Sequence, residues 1–221
     1  MALFSAIRTN SLGLAVVAII TAGAIALTQN ATQARIAENR EAAQARALYE
    51  IVPESEVEND LLHDTQHIAS APSIGYPQGV DVHLARRDGR VRTVLIPTIA
   101  ADGYTGPIKL VTGIHADGSV AGVRVLEHHE TPGLGDKVEL KKSDWVLGFT
   151  GERLAGPNDP TWAVKKDGGR FDQFTGATIT PRAVTEAVEK AILLFGEHRA
   201  ALLQEQDSAG PTILIKEPDH G

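Results

Sequence analysis

Cysteine is absent from the 221 residues of this chain. The absence excludes disulfides, thiol nucleophiles, cysteine-held iron–sulfur clusters and the usual structural zinc site, so any redox role requires an acquired cofactor. Basic residues are also few, because 21 Lys and Arg stand against 28 Asp and Glu for a net charge of -7. Without a block of Lys and Arg there is little attraction to phosphate backbones, and nucleic acid is not expected as a partner.

The amino-terminal region contains a long apolar segment. No charged side chain occurs in residues 9–34, and residues 12–27 contain only Thr21 as a polar side chain. About 20 such residues cross a bilayer, so residues 9–30 are predicted to anchor the chain in a membrane. Arg8 precedes the segment and the chain beyond it is acidic on balance, so the positive-inside rule predicts a cytoplasmic amino terminus and an exported body.

A cleaved secretory signal is the alternative interpretation of the same segment. The sequence Ala-Ile-Ala at residues 24–26 loosely resembles a cleavage site. These residues lie inside the apolar core, where a peptidase would not normally find an extended polar recognition segment. We therefore favour an uncleaved anchor.

The body of the chain is predicted to be α+β. Three Asp-Gly turns between β-favouring runs predict three hairpins and hence an antiparallel sheet. The paired runs are residues 80–86 with 91–99, 108–115 with 120–128, and 162–166 with 170–174.

Helices are predicted on either side of the sheet-forming region. The composition of residues 31–51 strongly favours a helix, which Pro53 is expected to end. We interpret this helix as a stalk, with packing against a partner's helix as the alternative. A short helical region is expected within residues 136–149. Apolar side chains at helical spacing predict a helix from Pro181 to about residue 204, packed on the sheet. The predicted organisation is an anchor over residues 1–30, a helical stalk and linker over 31–78, a domain over 79–205 and a tail over 206–221.

The stretch between the third hairpin and this helix has a local chemistry that suits phosphate. Thr180 is the expected N-cap and Pro181 the first helical residue. Thr178 lies two residues earlier, so a group on its hydroxyl would lie near the free N–H groups and the positive end of the helix dipole. Gly176 and Ala177 leave that hydroxyl sterically open. From residue chemistry alone, a plain turn between a strand and a helix explains the same residues.

Residues 172–178, with the sequence D-Q-F-T-G-A-T, resemble the flavinylation motif D-x-x-[ST]-G-A-T of FMN-binding domains. Residues 103–108 and 130–135 resemble two further segments of that family in the same order. With the single anchor, the chain is similar to the family of G subunits of Rnf-type ion-translocating electron transport complexes. The related C subunits of sodium-pumping NADH:quinone reductases share the motif and the anchor but are usually longer.

This resemblance implies a set of site residues. It implies that FMN is attached through a phosphoester bond by a separate FAD-dependent flavin transferase, and that Asp172 matters for recognition by that transferase. A threonine hydroxyl is a poor nucleophile and no base is obvious beside it, which favours modification in trans. The residues that the resemblance assigns to FMN are Thr178 as the attachment site, Thr175, Gly176 and Ala177 around it, and Glu130, Thr131, Pro132, Gly133 and Leu134 as a loop near the flavin ring.

The resemblance also implies a function. It implies a membrane-anchored flavoprotein subunit of the bacterial inner membrane that relays electrons through covalent FMN, with its main domain facing the periplasm. Its expected partners are the other subunits of an Rnf-type complex, the flavin transferase and the lipid bilayer, and it is expected to transfer electrons rather than act as an enzyme on its own. Two alternatives stay open: a C-type quinone reductase subunit, and a non-redox exported binding or assembly module with an unmodified Thr178.

The histidines do not predict a metal site. His63 and His67 have helical i, i+4 spacing but lie in the linker without an obvious third ligand. His128 and His129 are adjacent, so on a strand they would point to opposite faces. No metal is therefore expected.

Overall fold

The computed structural model describes residues 2–204, with side chains from residue 11 onward. The tail predicted at residues 206–221 lies outside the described residues. Two compact units meet in sequence at Gln44 and Ala45. The helices and strands are α1 (Ala2–Ile51), β1 (Thr65–Ile68), β2 (Val80–Arg87), β3 (Arg90–Ala100), β4 (Ile108–His115), β5 (Val120–Glu127) and α2 (Ile179–Leu202).

Helix α1 contains the predicted anchor. Its segment Ser11–Ile51 includes a window with a mean hydropathy of 2.2 and, among the described residues, is the one candidate membrane span by length and composition. The residues of this segment as far as Ala42 are exposed. The exposed apolar side chains between Leu12 and Leu27 suit a lipid environment.

The five strands form one antiparallel sheet in the order β1-β2-β3-β4-β5. The first two predicted hairpins are confirmed, as β2–β3 and β4–β5. At the β2–β3 turn, Asp88 and Gly89 have φ values of 55° and 71°, the left-handed conformation that two-residue hairpin loops favour. Strand β1 lies in the segment interpreted as a linker and was not predicted. The α+β class is confirmed.

Helix α2 covers one face of the sheet. Its buried side chains recur at helical spacing and meet alternate residues of the strands, as the two periodicities require. This core also contains the aromatic side chains of residues 149–174. Its members include Leu84, Val94, Ile96, Leu110, Ile114, Phe149, Trp162, Phe171, Val184, Val188 and Phe195.

The other face of the sheet receives the end of α1. Ala85, Leu95 and Val111 are strand neighbours of residues that face α2, so their side chains point the opposite way, and there they pack with residues 47–52. Gly113 and Gly122 are paired across β4 and β5. A Cβ atom on Gly113 would lie 2.5 Å from Cγ2 of Ile51, so the glycine provides the space in which Ile51 packs.

A charged contact fixes the same helix end. Nε of Arg124 donates to the Glu50 carboxylate at 3.0 Å, and a second guanidinium nitrogen donates to the Glu50 carbonyl oxygen at 3.1 Å. The segment interpreted as a stalk therefore ends as part of the folded core.

The third predicted hairpin is wrong. Residues 162–174 contain a 3₁₀ helix at Lys165–Asp167, and Val164 and Phe171 form only an isolated parallel bridge. Gly168, with φ of 91°, ends the 3₁₀ helix. The aromatic side chains of this segment turn into the core, with the rings of Phe171 and Phe149 only 4.4 Å apart. This packing replaces the strand alternation that the sequence pattern predicted.

Two helix predictions need adjustment. Helix α2 begins at Ile179 rather than Pro181, so Thr178 instead of Thr180 occupies the N-cap position. The Thr180 hydroxyl donates to Glu130 instead of capping the helix, which is why the cap prediction failed. The helical region predicted within residues 136–149 is present as two 3₁₀ helices, Gly135–Val138 and Asp144–Phe149.

Candidate functional site

A pocket of about 310 Å³ lies where the three segments singled out in the sequence meet. Its size is at the lower end of the ~300–1,000 Å³ range of small-molecule sites. Segments 103–108, 130–135 and 172–178 each contribute to its wall. The lining residues are Tyr104, Glu130, Thr131, Leu134, Gly135, Gly176, Ala177, Thr178, Ile179 and Thr180.

Thr178 lines this pocket at the N-cap position of α2. Its backbone is helical, with φ of -86° and ψ of -21°, and its side chain makes no capping hydrogen bond. The first N–H groups of a helix have no partner within the helix, and here they belong to the residues that follow Thr178. The hydroxyl of Thr178 is therefore not committed to the cap and lies beside the positive end of the α2 dipole.

The turn before Thr178 depends on a glycine. Gly176 has φ of 84°, a left-handed conformation that side chains rarely adopt. The Ala177 N–H donates to the Phe174 carbonyl oxygen at 3.2 Å, which closes the turn over the buried Phe174 ring. The turn thus directs Gly176, Ala177 and Thr178 to the pocket.

Three of the residues that were assigned to FMN do not line the pocket. Thr175 is exposed on the turn, and Pro132 and Gly133 are exposed on the facing loop. The pocket also contains residues that were not assigned to it from the sequence. These are Tyr104 and Gly135, which belong to segments already recognised, and Ile179 and Thr180, which a correct start of α2 would have indicated.

Glu130 is the charged residue of the pocket wall, and it is only 4% exposed. Its carboxylate accepts hydrogen bonds from Thr105 and from Thr180. Its N–H donates to Nδ1 of His128 at 3.0 Å, so Nε2 of the neutral imidazole carries the proton that binds Glu139 at 2.6 Å. His128 therefore orients the loop at Glu130.

The two histidines of the predicted linker are paired individually. His63 contacts Asp60 at 2.9 Å and His67 contacts Asp81 at 2.8 Å, and the hydrogen bond from His63 helps to lower the pKa of Asp60. Within residues 11–204 no group of three His, Asp or Glu side chains is arranged to hold a metal ion.

Asp172 lies outside the pocket, and its side chain is 70% exposed. Nζ of Lys165 donates to its carboxylate at 2.6 Å. Nε1 of Trp145 donates to its carbonyl oxygen at 2.6 Å, and the same indole packs edge-on against Phe174 at 5.1 Å. The backbone of Asp172 is thus held while its carboxylate faces solvent.

The first turn of α2 is tied to the preceding loop. Arg182 donates two hydrogen bonds, of 2.7 and 2.8 Å, to the Asp167 carboxylate. This guanidinium lowers the pKa of Asp167, and the carboxylate raises the pKa of Arg182. Exposed pairs of this kind contribute little to stability but fix local geometry.

Comparison with known families defines the class of the domain. The family described as FMN-binding domain matches residues 103–193, which contain every residue of the pocket. The family described as RnfG N-terminal region matches residues 1–51, the whole of α1. The chain thus contains an FMN-binding domain, and the pocket lies within it.

Full-length relatives define the particular family. The G subunit of the ion-translocating oxidoreductase complex of Pseudomonas aeruginosa strain PAO1 is 47% identical over 202 residues, covering 91% of this chain and 94% of the relative. The G subunits of the same type of complex from Vibrio vulnificus and Pseudoalteromonas atlantica are 42% and 45% identical, over 94% and 89% of this chain and 98% and 91% of their own lengths. The chain belongs to the family of G subunits of ion-translocating oxidoreductase complexes. This membership and the one described helix of membrane-spanning length support a single-pass membrane protein.

Proposed function

We propose that this chain is a flavoprotein subunit of an Rnf-type complex and carries FMN in phosphoester linkage on Thr178. The observation that carries the proposal is the position of the Thr178 hydroxyl, which lines the pocket and makes no capping bond. The relatives are named as components of an ion-translocating oxidoreductase complex, which supports assembly with the other subunits of such a complex.

The pocket residues fit FMN in two respects. An esterified phosphate on Thr178 would lie at the amino terminus of α2, where free N–H groups and the helix dipole stabilise negative charge. Leu134, Ile179 and Tyr104 provide apolar surface on the pocket wall, which suits a flat aromatic ring. Both features belong to one continuous pocket.

FMN and the protein would have separate roles in this site. FMN, when bound, supplies the electron-transfer chemistry, and the protein supplies position and electrostatic surroundings. A threonine hydroxyl is a poor nucleophile, and the carboxylate of the pocket wall, Glu130, is hydrogen-bonded to Thr105 and Thr180, which supports attachment by a separate flavin transferase. The exposed Asp172 carboxylate, outside the pocket, is accessible to such an enzyme.

The proposal is tested by producing the full chain with and without an exported flavin transferase. With the transferase, we expect flavin fluorescence in the protein band of a denaturing gel, and an intact mass that increases by one FMN minus one water. Without it, neither signal should appear. Absence of both signals in the presence of an active transferase would contradict covalent attachment and support the non-redox module.

We also propose that the domain faces the periplasm, as Arg8 and the acidic chain beyond the anchor predict. Because the chain has no cysteine, single introduced cysteines report topology cleanly. We expect Lys141→Cys, at an exposed position of the domain, to react with a membrane-impermeant maleimide in spheroplasts. Ser5→Cys should react only after the membrane is permeabilised, and the reverse pattern would overturn the orientation.

The C-type quinone reductase alternative receives no support from the comparisons. The relatives described above are named as G subunits and match along nearly their whole length. Copurification of the chain from its native membrane identifies the neighbouring subunits and decides between the two complexes.

A further inference from the structure

The carboxylate of Glu130 connects three walls of the pocket. Oε1 accepts the backbone N–H of Thr105 at 3.1 Å, from the loop after β3. Oε2 accepts the hydroxyl of Thr180, in the first turn of α2. Glu130 itself belongs to the loop after β5, which His128 orients through the Glu130 N–H. One side chain thus joins segments that are distant in sequence.

The hydrogen bonds indicate that Glu130 acts as an acceptor on both oxygens. The Thr105 hydroxyl lies 2.5 Å from the His129 carbonyl oxygen and 3.3 Å from Oε1, so its proton is directed mainly to the carbonyl. The Thr105 N–H can only donate, and it is bound to Oε1. A carboxylate near the start of a helix is also favoured by the helix dipole.

Two glycines leave the space that this arrangement occupies. A Cβ atom on Gly135 would lie 2.7 Å from Oε2 of Glu130 and 2.8 Å from the Thr180 hydroxyl oxygen. A Cβ atom on Gly103 would lie 2.2 Å from the Gly106 carbonyl oxygen and 3.1 Å from Oε1 of Glu130. Neither glycine has a left-handed φ, so close packing rather than backbone conformation accounts for both. The close neighbours are the Glu130 carboxylate and the Thr180 hydroxyl at Gly135, and mainly the Gly106 backbone at Gly103.

We propose that Glu130 is the positioning residue of the flavin pocket and also sets the electrostatic potential within it. Its carboxylate fixes the start of α2, and therefore Thr178, against the two loops that form the rest of the wall. Because it is buried and lines the pocket, its negative charge is weakly screened there. The electrostatic half of this inference rests on the proposed function, whereas the positioning half concerns the protein alone.

A negative charge beside a flavin disfavours the addition of electrons. Glu130→Gln removes the charge while keeping a side chain of the same length, so we expect a higher midpoint potential for the attached flavin. Thr180→Val keeps the charge but removes a hydrogen bond that partly compensates it, so the potential should fall. If the two substitutions only loosened the structure, they would not be expected to shift the midpoint potential in opposite directions.

Redox titration of the flavin absorbance in the full-length, flavin-loaded protein measures these shifts. Thr185→Val is the matched control for Thr180→Val, because Thr185 is also a buried threonine of α2 but does not line the pocket. It should leave the potential unchanged. Equal potentials for the wild type and Glu130→Gln would overturn the electrostatic role.

Hydrogen exchange of the Thr105 amide tests the positioning role in protein produced without the transferase. We expect Glu130→Ala to accelerate this exchange about tenfold, because the acceptor of the N–H is lost. Glu130→Gln retains an acceptor oxygen and should restore protection. Unchanged exchange in Glu130→Ala would overturn the positioning role. This result stands even if the wild type proves unable to carry flavin, an outcome that would contradict only the proposed function.

Discussion

Thr178→Val is expected to abolish covalent flavin entirely while the domain still folds. Valine has nearly the shape of threonine but lacks the oxygen that would form the phosphoester bond. The Thr178 side chain makes no capping hydrogen bond, so the free energy of unfolding should change by less than about 0.5 kcal/mol. Gel fluorescence and intact mass report the flavin, and denaturant unfolding followed by tryptophan fluorescence reports the fold.

Two further substitutions control this result. Thr178→Ser keeps a hydroxyl at the same position and should retain attachment. Thr175→Val changes a neighbouring threonine that is exposed and does not line the pocket, so it should carry as much flavin as the wild type. Covalent flavin in Thr178→Val that disappears when Thr175 is also replaced would move the attachment to Thr175.

Gly135→Ala is expected to have the second large effect, because it acts on both the fold and the pocket. The added methyl group would lie within 2.9 Å of three atoms: Oε2 and Cβ of Glu130, and the hydroxyl oxygen of Thr180. Both neighbours are buried and bound to each other, so neither can move without losing a hydrogen bond. We expect a loss of about 1–3 kcal/mol in the free energy of unfolding, together with reduced flavin attachment.

Gly148→Ala is the matched control for this substitution. Gly148 lies in the 3₁₀ helix Asp144–Phe149, has no left-handed φ, and would place its Cβ atom with no other atom within 4 Å. Its free energy of unfolding should stay within about 0.5 kcal/mol of the wild type. Equal stability of the two variants would contradict close packing at Gly135.

The regular parts of the fold could be predicted because local signals agreed with the packing. The turns at Asp117-Gly118 and at Asp88-Gly89 are flanked by β-favouring runs, and both hairpins form as expected. The third Asp-Gly turn failed because Trp162 and Phe171 lie 5.0 Å apart as part of an aromatic cluster that turns both into the core. Turn chemistry indicates where a chain reverses, whereas long-range packing decides whether the flanking residues become strands.

The candidate site could also be predicted only in part. The resemblance to FMN-binding domains indicated which three segments belong together, and all three contribute to one pocket. The role of the Glu130 carboxylate was not predictable, because its partners Thr105 and Thr180 are 25 and 50 residues away in sequence. The same long-range contact explains why the start of α2 was predicted two residues too late. Threonine is a residue type that favours the N-cap, but the hydroxyl of Thr180 binds Glu130 instead. Sequence patterns describe a residue's preferences, and they do not reveal a distant partner that overrides them.

The packing of Ile51 against Gly113 determines where the chain can be shortened. The second compact unit begins at Ala45, well before the first strand. A fragment that starts after Pro53 would lack Leu48 and Ile51 and would leave Leu95 and Val111 uncovered on one face of the sheet. Such an exposed apolar surface promotes aggregation. A water-soluble fragment for crystallisation or electrochemistry should therefore retain the last two turns of the anchor helix.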